Sequence, residues 1–250
     1  MVFWKSFWQS VSMYSIVPVP GLKWDSRGDR HMLAMYPLVG LLIGGIWLEI
    51  ARLLIWLGIA PMPLGALLTA VPFVLTGFLH LDGYMDVCDA VLSRRDRARR
   101  LEILRDSHTG AFAVISVGLL FLLQFSAVYE LAQKPERLWG FLLLPVLSRG
   151  MAGFGLLQLP LLEGSSMGAW ARQNTGIGHK IFLLAAAVLA GAGMTVLCGW
   201  TGLAASLAGA AGYWLAAWYA CGQLGGVSGD TSGYSLCLSE LAALMILAIV

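Results

Sequence analysis

Three aspartates follow one another at helical spacing in a segment that is otherwise apolar. Asp82, Asp86 and Asp89 come directly after a long apolar run. In a helix they fall at positions i, i+4 and i+7, inside an arc of roughly 60°. No Lys or Arg occurs between Phe78 and Ser93 to neutralise them. Carboxylate oxygens suit Mg²⁺, which keeps several waters and shares its shell with substrate phosphates, so this stripe predicts a magnesium site for a phosphorylated substrate.

The same acids have a simpler interpretation, in which they are solvated loop residues and Asp82 caps a helix. A carboxylate beside a membrane is costly to leave unpaired, which favours the functional interpretation. Further along, Asp106 is a candidate fourth metal ligand and Arg105 a candidate phosphate contact. The neighbouring Ser107 and Thr109 are alternatives for capping the next helix.

Two further polar groups interrupt apolar sequence. Arg149 lies within a long apolar run, where an arginine must face protein or water rather than lipid. Its partner is either a phosphate or carboxylate, or Glu49 or another acid in a structural ion pair. The small-residue loop 225–233 has backbone N–H groups that can cradle a phosphate, although glycine loops are also common turns. Gly226 and Asp230 are its candidate site residues.

Composition places the whole chain in a membrane. Of its 250 residues 58% are apolar and 12% are charged, which is typical of a polytopic membrane protein. We therefore predict an all-α helical bundle, a single integral membrane domain over residues 1–250 with about seven transmembrane helices. The four cysteines are scattered and indicate neither a disulfide framework nor a zinc site. The apolar runs are Met32–Ala60, Met62–Leu79, Ala111–Ala132, Leu138–Leu162, Ile181–Trp200, Gly202–Cys221 and Leu236–Val250.

The distribution of Lys and Arg predicts the orientation. Cytoplasmic loops carry the excess of basic residues, so the basic side and the N-terminus are expected to be cytoplasmic. The aspartates fall on that same side, which makes residues 80–110 a cytoplasmic acidic and basic active-site segment. The arginines from Arg94 to Arg100 serve either as topology determinants or as a clamp for an anionic substrate. The basic side holds Lys5, Lys23, Arg27, Arg30, the six arginines from Arg94 to Arg105, Arg172 and Lys180, and the other side only Lys134 and Arg137.

The N-terminal segment 1–31 has an amphipathic start. Phe3, Trp4, Phe7 and Trp8 share one face of a helix, and Lys5 and the other polar residues lie elsewhere. This pattern is typical of a helix that lies in the membrane interface on the cytoplasmic side. An ordinary packing helix is the alternative.

Several of these motifs occur together in one known family. Their order and spacing, over nearly the whole chain, resemble the cobalamin synthase family, the adenosylcobinamide-GDP ribazoletransferases. Two positions depart from the family pattern, Ile16 in place of a frequent Arg and Cys237 in place of a frequent Glu. The motifs are Tyr36-Pro37-Leu38-Val39-Gly40, His80-Leu81-Asp82-Gly83 with Asp86 and Asp89, Leu101 to Ser107, Ser148-Arg149, and Gly225-Gly226-x-Ser228-Gly229-Asp230.

The resemblance implies a multi-pass enzyme of the cell inner membrane with its active site facing the cytoplasm. Such an enzyme joins adenosylcobinamide-GDP to α-ribazole, or to its 5′-phosphate, releases GMP and depends on Mg²⁺. The expected partners are these small molecules and the lipid bilayer, with no nucleic acid, and an oligomer is compatible with the sequence. The alternatives are another membrane phosphotransferase, of the CDP-alcohol type, and a cation-coupled transporter.

The resemblance also implies roles for individual residues. The metal-binding and catalytic cluster is expected to consist of Asp82, Asp86, Asp89 and Asp106. The expected substrate-binding residues are His80, Arg105, Ser107, Arg149, Gly226 and Asp230.

Overall fold

The computed structural model describes residues 2–24 and 26–250, and it confirms the predicted all-α fold. Within these two ranges there is no β-strand, and one isolated bridge joins Leu161 to Val227. The helices are α1 (Val2–Tyr14), α2 (Ser26–Met32), α3 (Tyr36–Trp56), α4 (Pro61–Leu75), α5 (Leu79–Leu92), α6 (Arg97–Leu104), α7 (Ala111–Leu131), α8 (Trp139–Gln158), α9 (Ser166–Asn174), α10 (Ile177–Leu224) and α11 (Gly229–Ile249).

Several helices are long and apolar enough to cross a membrane, which makes this a multi-pass membrane protein. By length and composition the described residues contain 5 such helices, or up to 6 if the bent pair α4 and α5 is one span. The 5 are Gly28–Trp56, Ala111–Leu131, Pro135–Gln158, Ile177–Leu224 and Gly229–Ile249. The side on which the N-terminus lies remains a prediction.

The long helix α10 consists of two halves that fold back on each other. At Gly199 the backbone leaves the helical region, with φ 63° and ψ −146°. Ser206 Oγ then donates to the carbonyl oxygen of Gly191 at 3.4 Å, whereas a straight helix would separate these residues by about 22 Å. Each half has the roughly 20 residues that a span requires. The two apolar runs predicted on either side of this point are therefore separate elements, and the total of about seven crossings stays a prediction.

The apolar run predicted over Met62–Leu79 is broken in the structure. Helix α4 ends at Leu75, helix α5 begins at Leu79, and the two are bent by 92°. Gly77 and Phe78 between them have φ values of 58° and 62°. A residue other than glycine rarely adopts this left-handed backbone conformation. The aspartates therefore belong to a new helix that starts after a sharp turn.

Helix α8 lies at the centre of the bundle. It packs against α3, α10 and α11. In its most apolar stretch 83% of the residues are buried, compared with 33% for α7, so α8 faces protein where α7 faces outward. This placement explains how α8 can carry Arg149 without exposing it to lipid.

Helix α1 turns part of its polar surface inward. Ser6, Gln9 and Ser10 are buried, while Phe3 and Trp4 are 62% and 66% exposed. The helix packs against α2 and α3. A packing helix in water would bury its aromatic residues, so the exposed ones favour the interface interpretation.

The two basic residues predicted on the far side cap the last helix. Lys134 Nζ donates to the carbonyl oxygen of Ala248 at 2.6 Å, and an Arg137 guanidinium nitrogen donates to that of Leu247 at 2.8 Å. The last carbonyl groups of a helix have no partner within it and carry the negative end of the dipole. These side chains therefore fasten the end of α11 to the connection between α7 and α8.

Candidate active site

Helix α5 gathers the acidic stripe, and α11 adds a fourth carboxylate. Asp86 lies within electrostatic reach of Asp82, Asp89 and Asp230. Asp82 is exposed, and the other three are partly buried. Asp230 is in the first turn of α11, where the helix dipole favours a negative charge. We call Asp82, Asp86, Asp89 and Asp230 the carboxylate cluster.

Two glycines allow α5 and α11 to approach backbone to backbone. A Cβ atom at Gly83 would lie 2.8 Å from Cα of Asp230. A Cβ atom at Gly233 would lie 3.0 Å from the carbonyl oxygen of His80. Because neither position has a side chain, the first turn of α11 comes close to the first turn of α5. This contact brings Asp230 to Asp82.

Asp89 is held close to the start of α7. A Cβ atom at Gly110 would overlap both carboxylate oxygens of Asp89. Gly110 is the N-cap residue of α7 and provides no side-chain cap for the helix. The alternative in which Ser107 or Thr109 caps this helix is therefore wrong, and so is the one in which Asp82 caps α5, since the N-cap residue there is Phe78.

No basic side chain of the described residues neutralises the cluster. The ion pairs seen in residues 2–24 and 26–250 involve other acids, and Asp230 accepts a hydrogen bond from Ser228 Oγ at 3.3 Å. In the same ranges no three His, Cys, Asp or Glu side chains form a ready-made metal site. Mg²⁺ is commonly bound by one or two carboxylates together with waters and substrate phosphates. An open group of unpaired carboxylates fits that mode of binding better than a closed cage.

A small cavity borders the cluster at Asp82 and Asp230. His80 and Tyr36 also line it, and its volume is about 100 Å³. A water molecule occupies about 30 Å³ in the liquid, so the cavity has room for roughly three waters. It can hold an ion with a few of its waters or part of a phosphate group, and a larger ligand would extend outside it. The larger cavities beside α1 and beside α9 have no acid among their described lining residues.

Asp106 lies on the exposed loop between α6 and α7, apart from the cluster. Its carboxylate accepts hydrogen bonds from Nδ1 of His108 at 2.6 Å and from the His108 backbone N–H at 3.0 Å. These hydrogen bonds hold the pKa of Asp106 below its ordinary value. The other charge that acts on it is Arg99 rather than a cluster aspartate. The structure thus adds Asp230 to the predicted cluster, and the role of Asp106 as a metal ligand stays a prediction.

Of the neighbouring basic residues, some are exposed on the loop after α6 and others pack against the end of α10. Arg105 is exposed and donates to the carbonyl oxygen of Glu163 at 3.4 Å, and Ser107 is exposed on the same loop. Arg97 Nε donates to the carbonyl oxygen of Leu224 at 2.9 Å, at the end of α10. Arg100 likewise donates to the side chain of Gln223 in α10. Two residues of the arginine run therefore have a packing role that neither sequence interpretation included.

Arg149 has a carboxylate partner inside the bundle. It is 1% exposed and pairs with Glu240 Oε1 at 2.8 Å. Ser148 Oγ donates to the same oxygen at 2.7 Å. The alternative of a structural ion pair is therefore observed, with Glu240 as the acid, since Glu49 pairs with Arg52 at 2.7 Å. A contact of Arg149 with substrate remains a prediction.

The glycine loop before α11 has a packing role. Gly226 is buried, and a Cβ atom there would overlap the backbone of Leu161. The N–H of Val227 donates to the carbonyl oxygen of Pro160 at 2.7 Å, and that of Ser228 to Oγ of Thr231 at 2.7 Å. The N–H of Gly225 also donates to the carbonyl oxygen of Cys221 at 2.7 Å, so three N–H groups before α11 are already used by the protein. Phosphate binding at Gly226 remains a prediction.

Sequence reasoning did not predict Tyr36 as a residue of the cavity wall. Tyr36 was noted only as part of a family motif, yet its hydroxyl lies 2.5 Å from Nε2 of His80. A polar ring at the start of an apolar helix was the available signal. His80, predicted to bind substrate, is 7% exposed and lines the cavity.

Together the fold and the site define a helical membrane protein with an open carboxylate cluster beside a cavity. The model of the cobalamin-5-phosphate synthase family matches residues 6–248. The chain belongs to this family, whose members are enzymes.

Similar proteins extend over the full length of the chain. A Clostridium botulinum protein (strain Alaska E43 / Type E3) is 37% identical over 240 residues, 96% of this chain and 95% of its own. A Clostridium perfringens protein (strain SM101 / Type A) is 37% identical over 249 residues, 100% of this chain and 99% of its own. A Pseudomonas syringae pv. syringae protein (strain B728a) is 36% identical over 250 residues, 97% and 98% of the two chains. Each is named adenosylcobinamide-GDP ribazoletransferase. No solved structure matches the chain.

Proposed function

We propose that this protein is a Mg²⁺-dependent transferase of cobalamin biosynthesis. It joins adenosylcobinamide-GDP to α-ribazole, or to α-ribazole 5′-phosphate, and releases GMP. The observation that carries the proposal is the cluster of four carboxylates, which has no basic partner among the described residues. The names of the relatives, adenosylcobinamide-GDP ribazoletransferase, support the choice of substrates. We further propose that the site faces the cytoplasm of a cell whose inner membrane holds the protein.

The reaction exchanges one bond to phosphorus for another. A hydroxyl oxygen of the ribazole forms a bond to the phosphorus next to cobinamide, and the bond from that phosphorus to the GMP oxygen breaks. Bound Mg²⁺ would supply positive charge that neutralises the diphosphate and the departing GMP. Asp82, Asp86 and Asp89 are the residues proposed to hold it, with Asp230 beside them.

The protein's own residues supply position and a proton acceptor. Phosphoryl transfer needs mainly alignment and charge neutralisation from an enzyme. One carboxylate takes the proton of the attacking hydroxyl. Of the two candidates, Asp89 lies in the carboxylate cluster, whereas Asp106 lies on the loop between α6 and α7 and accepts hydrogen bonds from His108. The small cavity at Asp82 and Asp230 would take part of the substrate diphosphate, which joins the corrinoid to the guanosine, and both of these larger groups would stay outside it.

The test is GMP release by protein solubilised in detergent and supplied with adenosylcobinamide-GDP, α-ribazole and Mg²⁺. Activity without a sealed compartment is expected, and it should disappear on chelation and not occur with a CDP-linked lipid. A transporter would give no product in this assay. Release of product from the CDP-linked lipid alone would refute the proposal.

Two matched substitutions test the cluster. Asp82→Asn should abolish GMP release while the protein stays in the membrane. Asp96→Asn is the control, because Asp96 is an exposed N-cap residue of α6 and asparagine caps a helix equally well. Full turnover by Asp82→Asn would remove the cluster from the mechanism.

A further inference from the structure

Tyr36 and His80 form a buried pair at the wall of the cavity. The phenolic oxygen of Tyr36 lies 2.5 Å from Nε2 of His80. The residues are 5% and 7% exposed. Both line the cavity that Asp82 and Asp230 border. The hydrogen bond therefore lies next to the place where the substrate diphosphate is proposed to bind.

The direction of this hydrogen bond follows from the partners available. Within the described residues, the Tyr36 hydroxyl has no second hydrogen-bond partner. A buried O–H that donates to nothing loses its hydration without compensation. The Tyr36 hydroxyl therefore donates, and Nε2 of His80 accepts. An imidazole nitrogen that accepts carries no proton, so the proton of the ring is on Nδ1.

Neighbouring groups hold both members of the pair in place. The Tyr14 ring lies 4.3 Å from the Tyr36 ring, centre to centre. The Arg149 guanidinium, itself paired with Glu240, lies 5.9 Å from the centre of the Tyr36 ring. On the other side Gly233 packs against the backbone of His80. The pair is thus fixed from both sides before any substrate arrives.

We propose that Tyr36 is a positioning residue, which fixes His80 with its proton on Nδ1 so that the ring offers one N–H donor to an oxygen of the substrate diphosphate. The substrate in this statement rests on the proposed function. The position of the proton rests on the contacts of Tyr36 and His80 alone. The two parts can therefore fail separately.

The position of the proton is measured by ¹⁵N solid-state NMR of the full chain in lipid bilayers, with labelled histidine. The chain has 4 histidines, and the signals that disappear in His80→Asn identify those of His80. We expect a protonated Nδ1 and a bare Nε2, and loss of this preference in Tyr36→Phe. Tyr84→Phe is the matched control. Tyr84 lies on α5, the helix of His80, and its hydroxyl donates to the carbonyl oxygen of Ser116 rather than to His80. A protonated Nε2 in the unmodified protein would overturn the proposal.

The consequence for turnover is measured as GMP release. Loss of one hydrogen bond of ordinary strength should lower kcat about tenfold in Tyr36→Phe, with KM changed by less than about twofold. An unchanged kcat would overturn the positioning role, and Tyr84→Phe should behave as the unmodified protein. If the unmodified protein releases no GMP, the proposed function fails while the NMR result still stands.

Conservative replacements of His80 give a second readout. An asparagine amide N–H occupies the place of Nδ1–H, whereas a glutamine amide N–H reaches that of Nε2–H. We expect His80→Asn to be about tenfold more active than His80→Gln, the size of one donor's contribution. Adding Tyr36→Phe to His80→Asn should cause no further loss, since the ring that Tyr36 orients is gone. Equal activity of the two His80 variants would contradict the proposal.

Discussion

Substituting one glycine should move a cluster carboxylate without harming the fold. Gly110 has φ −87° and ψ 172°, an extended conformation that alanine adopts freely. The new Cβ atom would overlap both oxygens of Asp89, and ordinary contact begins at 3.4 Å. The carboxylate is the end of a flexible side chain, so it can rotate away. It must move by about 1 Å, a misplacement that can cost on the order of 100-fold in rate.

The same substitution should have little effect on stability. Alanine is a poorer N-cap residue than glycine, by up to about 1 kcal/mol. The loss of freedom in the unfolded chain offsets this by about 0.4–1 kcal/mol. We therefore expect a thermal unfolding midpoint within a few degrees of the unmodified protein. Activity and stability should separate in this variant.

The assay is Mg²⁺-dependent GMP release together with thermal unfolding in the same detergent. Gly118→Ala is the matched control, because Gly118 lies on the same helix and a Cβ atom there meets nothing within 4 Å. It should keep full activity. A Gly110→Ala enzyme that retains activity within twofold would show that the position of Asp89 is unimportant, and the reasoning would be refuted.

Three further perturbations test the charged groups outside the cluster. Glu240→Gln should destabilise the protein by about 3–5 kcal/mol in thermal unfolding, because the buried Arg149 loses its partner, and the pair Arg149→Met with Glu240→Leu should be less harmful. Lys134→Ala should lower stability by about 0.3–1 kcal/mol, because the end of α11 loses a capping donor. The hydrogen bonds from His108 lower the pKa of Asp106 below 3.8, so their stabilisation is present above pH 3.8 and is lost as the pH falls through the lower folded-state value. The difference in unfolding midpoint between His108→Ala and the unmodified protein should therefore vanish only in strong acid, and its persistence there would contradict this explanation.

The features that the sequence predicted are those that depend on neighbours along the chain. The spacing of Asp82, Asp86 and Asp89 is a property of one helix, and the structure has that helix. Apolar runs predict helices by composition alone, and the predicted boundary between the runs Ile181–Trp200 and Gly202–Cys221 lies two residues from the turn of the backbone at Gly199. Such patterns need no knowledge of tertiary packing.

What the sequence did not predict depends on pairs of residues far apart in the chain. Arg149 and Glu240 are 91 residues apart, so Glu49 was an equally reasonable partner until α8 and α11 were seen side by side. Asp230 joins Asp82 because two glycines let their helices touch, and a single sequence does not show which helices are neighbours. The turn at Phe78 was missed for a different reason, since a phenylalanine with positive φ has no local signature.

The buried charge of Arg149 has a partner in the protein, whereas the more accessible carboxylate cluster has none among the described residues. This difference supports the proposal that the cluster binds a cation. Arg149 deep in the bundle has Glu240 beside it, because a charge without a partner there is very costly. The carboxylate cluster has no such partner among the described residues, although four like charges repel one another. Basic side chains are available nearby, but Arg97 is used to hold the end of α10. The cluster is therefore left to be neutralised from outside the protein, which is what a cation bound together with a diphosphate would do.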